Sequence, residues 1–381
     1  MSIQETISSQ RKGQAYIDIL KSRLHLEGQK FSRLLNSSNE KIYYPYKNVL
    51  HTHPFFERYY RYPPVKYCNY NKAKLCHWVS SVPKNISRNV PYVIEPQDHP
   101  LAPTGESEPA MVLDARQMAI DTYMSSNCKK IIVESEGQLS LFDRYLPDSV
   151  MKKTEIVRLG AVPKIKSVGG KNKDYENLTF VCFASDYKRK AVDLLITAWL
   201  EFSLKEKCQL ILACPNIPND MSSLIEAENI KVINKAPLSQ QDKHILLSSA
   251  DIVIAPLHVD GGANVIEAFE YGVPVITMRS QRSFVRNDNG WEVDVPFYFY
   301  DDGYGKEWPT WDIFWKILDD AKEKHVFDIT VQGFVNVFEE IARSPEMLLK
   351  MGRSSYDLAC GDFSLELRNE QLRKIYSEAL Q

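Results

Sequence analysis

The fold is decided by Asp251-Ile-Val-Ile-Ala-Pro-Leu-His-Val-Asp-Gly-Gly-Ala-Asn-Val-Ile-Glu-Ala-Phe-Glu-Tyr-Gly-Val-Pro-Val-Ile276. An apolar run from Ile252 to Ala255 leads to the glycine pair Gly261-Gly262, and a helical pattern opens at Asn264. A second apolar run, Pro274 to Thr277, follows. Strand, glycine turn, helix and strand form one unit of a parallel sheet, in which free N–H groups at the helix start suit a phosphate.

Two interpretations of the glycine pair are open. Gly261 and Gly262 permit the tight strand-to-helix turn that many α/β proteins contain, or they expose backbone N–H groups to a ligand. Glu267 favours a ligand, because it stands about one helical turn after Asn264 in an otherwise apolar run. A carboxylate buried there needs a partner.

Length, charge and cysteine content limit the possible functions. With 381 residues, of which 44% are hydrophobic, the chain is long enough for two domains. Its 47 basic and 49 acidic residues nearly cancel, so no positive field favours nucleic acid as a partner. The seven cysteines are odd in number and form no Cys-x-x-Cys pair. This argues against a disulfide framework and a zinc site, and favours a reducing cytosol.

Neither a signal sequence nor a membrane span is expected. The first twelve residues lack an apolar core, and no window holds the roughly eighteen apolar residues that a spanning helix needs. The expected location is therefore the cytoplasm. Peripheral contact with a membrane stays open, because residues 43–67 are aromatic and basic. Such a segment suits a membrane surface or a sugar, although a packed irregular loop is the favoured interpretation.

Apolar runs alternate with helical patterns along most of the chain. The first part is predicted to contain an amphipathic helix at 14–35, strands at 76–79, 91–94 and 130–133, and a helix at 110–125. The second part is predicted to contain strands at 178–183, 209–213, 230–233, 252–255 and 274–277, with helices at 191–203 and 241–249. This order predicts an α/β protein with two doubly wound, Rossmann-like domains.

Domain boundaries follow from the polar, glycine-containing stretch near residue 170. The predicted domains are residues 1–165 and 177–360, joined by a linker at 166–176. Residues 361–381 form a final helix, which Ser364 caps. Its apolar face, which should dock on another part of the protein, contains Leu365, Leu372, Ile375, Tyr376 and Ala379.

Two loops of the second domain are predicted to form one binding site. In open α/β sheets, ligands bind at the carboxyl ends of strands, near the point where strand order reverses. The loop after the strand at 178–183 carries Lys188, Arg189 and Lys190 immediately before a helix. If this loop meets the glycine loop at one edge, cations and N–H groups surround a diphosphate. A solvated face is the alternative for such a charge run, although its place at a strand-to-helix turn weakens that alternative.

Four segments resemble one enzyme family, the GT-B retaining glycosyltransferases of the family 4-like type. Asp186-Tyr-Lys-Arg-Lys-Ala-Val-Asp-Leu-Leu-Ile-Thr-Ala198 is similar to their lysine-containing loop and following helix, and Ser249-Ala-Asp-Ile-Val-Ile-Ala-Pro256 to their strand that ends in proline. The stretch from Gly261 to Ile276 resembles their Glu-Ala helix and Gly-x-Pro-Val-Ile strand, and Asn289-Gly290 resembles the turn that follows. The resemblance spans roughly residues 75–380 and is strong between about 178 and 292.

The resemblance implies two Rossmann-like domains that face across a cleft, with the final helix crossing back to the first domain. It implies transfer of a sugar from a nucleotide-activated donor, with retention of anomeric configuration, as in polysaccharide biosynthesis. Residues 1–165 would bind a carbohydrate or lipid-linked acceptor, and residues 177–360 would bind the donor. The implied donor-binding residues are Ser185, Arg189, Lys190, Asp260, Gly261, Gly262, Ala263, Asn264 and Glu267, and the implied catalytic residues are Lys190, Glu267 and His99.

Two departures from the family pattern keep other functions open. Ala191 stands where glycine is usual, and Val259 stands where the first acid of the paired-glutamate motif is expected, one position before Asp260. A non-catalytic nucleotide-sugar or sugar-binding protein on the same scaffold is therefore an alternative. An enzyme of the GT-B type that isomerises its substrate is a second alternative.

Acceptor contacts and metal ligands are harder to assign. Glu95, Asp98 and His99 follow a strand and could meet an acceptor hydroxyl, and His77 lies in a neighbouring strand. Both histidines have a structural alternative, namely hydrogen bonding within their own surroundings. No metal cofactor is expected: His51-Thr-His53 lacks a third ligand, and a solvated turn is the favoured interpretation of Asp301-Asp302.

Overall fold

The computed structural model describes residues 49–52, 75–80, 91–96, 120–168, 177–218, 221, 229–234, 238–258, 262–279, 284–297 and 311–381. Several predictions lie outside these ranges, and they concern the helix at 14–35, most of the aromatic-basic segment, His53, Asp98, His99, residues 259–261 and Asp301-Asp302.

Two compact units make up the described chain. The first contains the described residues up to Gly160, those of Tyr304–Phe314, and Leu365–Gln381; the second contains those of Ala161–Gly303 and Trp315–Ser364. The chain leaves the first unit at Gly160, earlier than the boundary predicted at residue 165. The Val162 N–H donates to Glu270 Oε1 at 2.7 Å, and the Lys164 N–H donates to the Glu270 carbonyl at 2.8 Å. These bonds fasten the segment to the second unit.

A parallel five-stranded sheet forms the first unit. Its strands are β1 (Val49–Thr52), β2 (Leu75–Ser80), β3 (Tyr92–Pro96), β4 (Cys128–Val133) and β5 (Thr154–Ile156), and they lie side by side in chain order. The sequence predicted β2, β3 and β4. It missed β5, and the irregular-loop interpretation of residues 43–67 is wrong for β1. Four residues carry too little periodicity to reveal a strand, and β1 forms by pairing with β2.

A parallel six-stranded sheet forms the second unit. Its strands are β6 (Leu178–Phe183), β7 (Cys208–Ala213), β8 (Ile230–Val232), β9 (Ile252–Ala255), β10 (Val275–Met278) and β11 (Gly290–Val293). Their order in the sheet is β11-β10-β9-β6-β7-β8. The chain runs outward from β6 to β8, returns to β9 beside β6, and then runs outward on the other side. Strand order therefore reverses between β6 and β9, as in a Rossmann-like domain.

Helices connect and cover the strands. They are α1 (Glu136–Tyr145), α2 (Asp148–Met151), α3 (Val192–Glu201), α4 (Gln240–Ser249), α5 (Ala263–Glu270), α6 (Trp311–Glu323), α7 (Asp328–Arg343), α8 (Met347–Cys360) and α9 (Leu365–Ala379). Residues 120–124 are also helical, within the helix predicted at 110–125.

The first sheet has an apolar cluster on each face. On one face, Ile94 of β3 and Ile131 of β4 pack with Phe142 of α1. On the other face, Val93 and Ile132 pack against α9, whose contributing side chains are Leu372, Ile375, Tyr376 and Ala379. The predicted docking of the final helix is confirmed for these four of its five named residues, and the partner is the sheet of the first unit. Leu365, the fifth, is half-buried and is not part of this cluster.

The second sheet is built around Phe180 on β6. The centroid of its ring lies 5.4 Å from that of Trp199 on α3 and 5.5 Å from that of Phe338 on α7, and all three side chains are fully buried. Edge-to-face aromatic contacts of this kind add about 0.5–1.5 kcal/mol beyond the burial of area. Helices α3 and α7 therefore cover the same face of the sheet as Phe180.

Candidate functional site

The carboxyl ends of β6 and β9 are neighbours at the strand-order reversal. These two strands pair directly, with Cys182 opposite Ile254. The loop at 184–191 follows β6, and the glycine loop at 256–262 follows β9. Because ligands of open α/β sheets bind at such a reversal, this edge is the candidate site.

Backbone and side-chain contacts join the two loops. The Asn264 amide Nδ2 donates to the carbonyl of Phe183, the last residue of β6, at 3.0 Å. The His258 N–H donates to the Arg189 carbonyl at 3.4 Å. The structure thus brings together the loops that the sequence predicted to converge, and it gives Asn264 the role of fastening the start of α5 to the end of β6.

Asp186 shapes the loop at 184–191. Its Oδ1 accepts from the Arg189 N–H at 2.8 Å, and its carbonyl accepts from the Lys190 N–H at 3.2 Å. The Arg189 guanidinium donates to Ser185 Oγ at 3.3 Å. A short polar side chain that bonds its own backbone in this way is typical of a tight turn. Asp186 therefore fixes the backbone conformation of the loop that carries the three cations.

Ala191 ends this loop in the left-handed region, with φ 49° and ψ 32°. It precedes the first residue of α3. A residue with a Cβ pays about 1–2 kcal/mol for that conformation, whereas glycine does not. This explains why the resembled family places glycine at this position.

The three cations of the loop have different surroundings. Lys188 is half-exposed, and its ammonium pairs with Asp319 Oδ1 at 3.1 Å, so it does not join the predicted pocket. Lys190 is buried, with 7% of its surface exposed. Burial and the neighbouring Cys214 raise the pKa of the Cys182 thiol, and the charge of Lys190 opposes them. Lys190 therefore lies near the end of β6, which is where a diphosphate would be met.

Helix α5 begins at the glycine loop. Its N-cap is Gly262, which has no side chain to cap the N–H groups of the first turn. Such groups, together with the helix dipole, attract an anion. A Cβ on Gly262 would lie 2.1 Å from Cε2 of Phe284, so the position accepts only glycine without movement of that ring.

Glu267 has a partner that the sequence did not reveal. Both of its carboxylate oxygens accept from the Lys243 ammonium on α4, at 2.9 and 2.7 Å. The Lys243 Nζ also lies 6.0 Å from the centroid of the Phe183 ring. No local pattern marks Lys243, because its contact depends on how α4 packs beside α5.

Lys190 and Glu267 both lie around the end of β6. The charge of Lys190 acts on Cys182, and the Lys243 ammonium that pairs with Glu267 lies 6.0 Å from the ring centroid of Phe183. Cys182 and Phe183 are the last two residues of β6. The two predicted residues therefore lie at the same edge of the sheet.

Two further titratable groups lie close to these loops. Burial, assisted by the charge of Lys322, lowers the pKa of His258 to about 3, so its imidazole is neutral at neutral pH. Burial raises the pKa of Glu270 to about 7, although the Val162 N–H and Lys164 counteract it. Neither residue was predicted from the sequence. His258 packs on Phe327 with ring centroids 5.0 Å apart, and Glu270 fastens the segment after Gly160.

Glu95 and His77 of the first unit belong to a buried network. Both Glu95 oxygens accept from the Arg368 guanidinium at 2.8 Å. The His77 Nε2 lies 3.4 Å from Glu95 Oε2, and its Nδ1 lies 2.6 Å from the Tyr376 hydroxyl. Burial favours the neutral acid, but Arg368 and His77 outweigh it and lower the pKa of Glu95 to about 2.

This network corrects the acceptor-loop prediction for Glu95. Its side chain is 1% exposed and holds α9 through Arg368, so it is not presented to an acceptor. The structural alternative for His77 is the one observed, because its ring is buried between Glu95 and Tyr376. His99 lies outside the described residues and stays a prediction.

Metal-binding clusters and membrane-spanning helices are both absent from the described part of the chain. No group of three or more His, Cys, Asp or Glu side chains in this part of the chain is arranged to hold a metal ion. None of the helices within the described ranges is both long and apolar enough to cross a membrane.

Comparison with known proteins gives a family-model match to part of the chain and a set of similar folds. Residues 177–296 match the sequence model of a family described as Glycosyl transferases group 1. No curated protein sequence matches the chain. The matched residues contain both loops of the candidate site, so the family match and the geometry concern the same part of the second unit.

Three solved structures are similar across both units. Sucrose-phosphate synthase from Thermosynechococcus elongatus is 14% identical, with a TM-score of 0.56, over 85% of this chain and 77% of that chain. WaaG, a glycosyltransferase involved in lipopolysaccharide biosynthesis, is 15% identical, with a TM-score of 0.56, over 83% and 81%. HepE from Anabaena, in complex with UDP and glucose, is 13% identical, with a TM-score of 0.53, over 80% and 78%. The chain therefore has an α/β fold with parallel sheets, matching that of GT-B glycosyltransferases.

Proposed function

We propose that this protein is a glycosyltransferase that moves a sugar from a nucleotide-activated donor to an acceptor, with retention of anomeric configuration. The observation that carries the proposal is the junction of the two loops at the strand-order reversal, where Asn264 bonds the end of β6. The family match over 177–296 supports it. So does HepE, a similar fold that was solved with UDP and glucose.

Each donor group has a proposed partner. The diphosphate is bound by Lys190 and Arg189 and by the N–H groups at the start of α5, from Gly262 through Asn264. The ribose hydroxyls donate to the Glu267 carboxylate. Ser185 supports Arg189. Asp260 and Gly261, which lie outside the described residues, stay proposed donor-binding residues. The acceptor, a carbohydrate or a lipid-linked sugar, binds the first unit, where His99 is the proposed catalytic group.

The proposed chemistry needs stabilisation of the leaving diphosphate. As the bond between the anomeric carbon and the phosphate oxygen breaks, negative charge grows on that oxygen. The acceptor hydroxyl oxygen forms the new bond on the same face of the sugar, and its proton passes to the leaving diphosphate oxygen. Fixed cations and helix N–H groups stabilise such charge without rearrangement, and we propose that they do so here without a metal ion.

A thermal-shift screen with UDP, ADP and GDP tests donor binding. A ligand at 100 times its Kd stabilises the folded protein by about 2.7 kcal/mol, so one of the three should raise the midpoint clearly. Lys190→Ala and Glu267→Ala should each abolish that shift and the transfer activity while far-UV circular dichroism is unchanged. Lys188→Ala is the matched control, because Lys188 lies in the same loop as Lys190 but pairs with Asp319 on α6; it should retain both.

Product analysis separates the proposal from its alternatives. Release of nucleotide together with an acceptor-linked sugar of retained configuration supports it. Binding without turnover would identify a nucleotide-sugar-binding protein, and turnover without an acceptor-linked product would identify an isomerising enzyme. Full activity of Lys190→Ala or Glu267→Ala would remove that residue from the site.

A further inference from the structure

The Lys243 ammonium donates a hydrogen bond to each carboxylate oxygen of Glu267. Its ammonium lies 2.9 Å from Oε1 and 2.7 Å from Oε2. The side chains are 21% and 23% exposed, so the pair is partly covered but solvent still reaches it. The two partners are 24 positions apart in the sequence and lie on different helices, α4 and α5.

A carboxylate offers about four lone pairs, two on each oxygen. Lys243 lies close to both oxygens and engages one inward position on each. One outward position then remains on each oxygen, and the two outward positions point away from each other. A ribose hydroxyl can donate to an outward position, so the ammonium and that hydroxyl can bind Glu267 at the same time.

The surroundings of Lys243 hold its ammonium in place. Helix α4 begins at a capping box in which Ser239 Oγ accepts from the Asp242 N–H at 3.0 Å, so Lys243 directly follows a fixed first turn. Its Nζ lies 6.0 Å from the Phe183 ring centroid, within the range of a cation–π contact. Phe183 also accepts the Asn264 bond that positions α5. Phe183, at the end of β6, therefore contacts both helices: its ring lies near Lys243 of α4, and its carbonyl accepts from Asn264 of α5.

Lys243 also balances the charge of two carboxylates. Glu270 lies three residues after Glu267 on α5, and the Glu267 charge raises the pKa of Glu270, whereas the Lys243 charge lowers it. Without Lys243, the two carboxylates would face each other with less positive charge nearby.

We propose that Lys243 is a positioning residue of the donor site: it holds the Glu267 carboxylate in the orientation that accepts a ribose hydroxyl. This inference rests on the proposed function. In this proposal Lys243 does not contact the reacting atoms, and the Lys243–Glu267 pair forms part of the ribose subsite.

The experiment measures nucleotide affinity and its dependence on the ribose hydroxyls. UDP, ADP and GDP, each beside its 2′,3′-dideoxy counterpart, are titrated into the full-length protein by calorimetry. In Lys243→Met, affinity for the nucleotide that binds should fall about tenfold, the equivalent of about 1.4 kcal/mol. Affinity for its dideoxy counterpart should be unchanged. Lys243→Arg should recover most of the loss, because it restores a cation that bonds both oxygens.

Kinetics and a matched control complete the test. The donor KM of Lys243→Met should rise about tenfold with kcat unchanged, as expected when only binding is lost. Lys130→Met is the control, because Lys130 has a similar exposure, 20%, and pairs with Glu155 and Glu378 in the first unit; it should leave donor affinity unchanged. If Lys243→Met does not fold, Lys243→Gln is measured in its place.

The outcomes distinguish a failure of this inference from a failure of the proposed function. If the wild-type protein binds none of the three diphosphates, the proposed function and this inference both fail. If the wild-type protein binds but Lys243→Met weakens the ribose and dideoxy forms equally, or neither form, Lys243 is only a link between α4 and α5 and the inference alone is wrong.

Discussion

Single residues show how much of the candidate site the sequence could disclose. Lys190, Asn264 and Glu267 were predicted from the turn and helix that carry them, and the structure places all three around the end of β6. The conformation of Ala191 could not be predicted with the same certainty, because alanine is compatible with either a helix start or a turn. Its positive φ follows from the turn that Asp186 organises.

Replacing Ala191 with glycine should stabilise the protein. Relief of the left-handed conformation gains about 1–2 kcal/mol, and the extra freedom of glycine in the unfolded chain costs about 0.4–1 kcal/mol. The expected net gain is about 0.5–1 kcal/mol, measured as a higher midpoint in denaturant unfolding. Ala198→Gly in the buried interior of α3 is the control and should lower the midpoint. A lower midpoint for Ala191→Gly would contradict the explanation of its backbone conformation.

At the scale of elements, α5 combines two tasks in eight residues. Its start and Glu267 belong to the candidate donor site, and its last residue, Glu270, fastens the segment that follows Gly160. The sequence predicted this helix and its first task. It could not predict the second, because the contact joins residues that lie 108 positions apart.

The raised pKa of Glu270 predicts how stability changes with pH. Its pKa is about 7 in the folded protein against an ordinary 4.5. A carboxyl group with a raised pKa stabilises the folded protein below pH 4.5, and this contribution is lost as the pH rises through about 7. Glu270→Gln keeps an oxygen acceptor for Val162 and carries no charge. It should therefore match the wild-type protein near pH 5 and exceed it near pH 8, by about 2 kcal/mol.

Thermal unfolding of the wild-type protein and Glu270→Gln at pH 5, 6, 7 and 8 is the measurement. The difference between their midpoints should grow with pH across this range. A constant difference would mean that Glu270 does not change its protonation there, and the role of burial in its pKa would have to be reconsidered.

At the scale of the whole molecule, the end of the chain completes the core of its first half. Arg368 on α9 contacts Glu95 on β3 across 273 positions of sequence, and Arg368 also donates to the Arg158 carbonyl at 2.7 Å. Leu372 and Ile375 close the same face of the sheet. The apolar spacing of α9 predicted that it docks, but the buried ion pair that accompanies the apolar contact was not foreseen.

Breaking this ion pair should be costly. Arg368→Met leaves the Glu95 carboxylate buried without its main counter-charge, which costs about 3–5 kcal/mol. In the double variant with Glu95→Gln, the loss should be smaller than the sum of the two single losses, because the partners interact directly. Unfolding in denaturant gives these energies, and hydrogen exchange should show faster opening in β3 and α9. Additive losses would show that the two side chains are not coupled.

The sequence by itself determined the α/β class, most of the parallel strands and the two loops that meet at the strand-order reversal. Buried parallel strands require continuous apolar runs, and the order of strands and helices fixes which loops reach the carboxyl edge. Tertiary structure alone decided the strand β1, the pairing of Glu267 with Lys243 and the structural role of Glu95. Each of these depends on which distant backbone segments pack together, and a charged side chain carries no local signal of the partner that packing will bring to it.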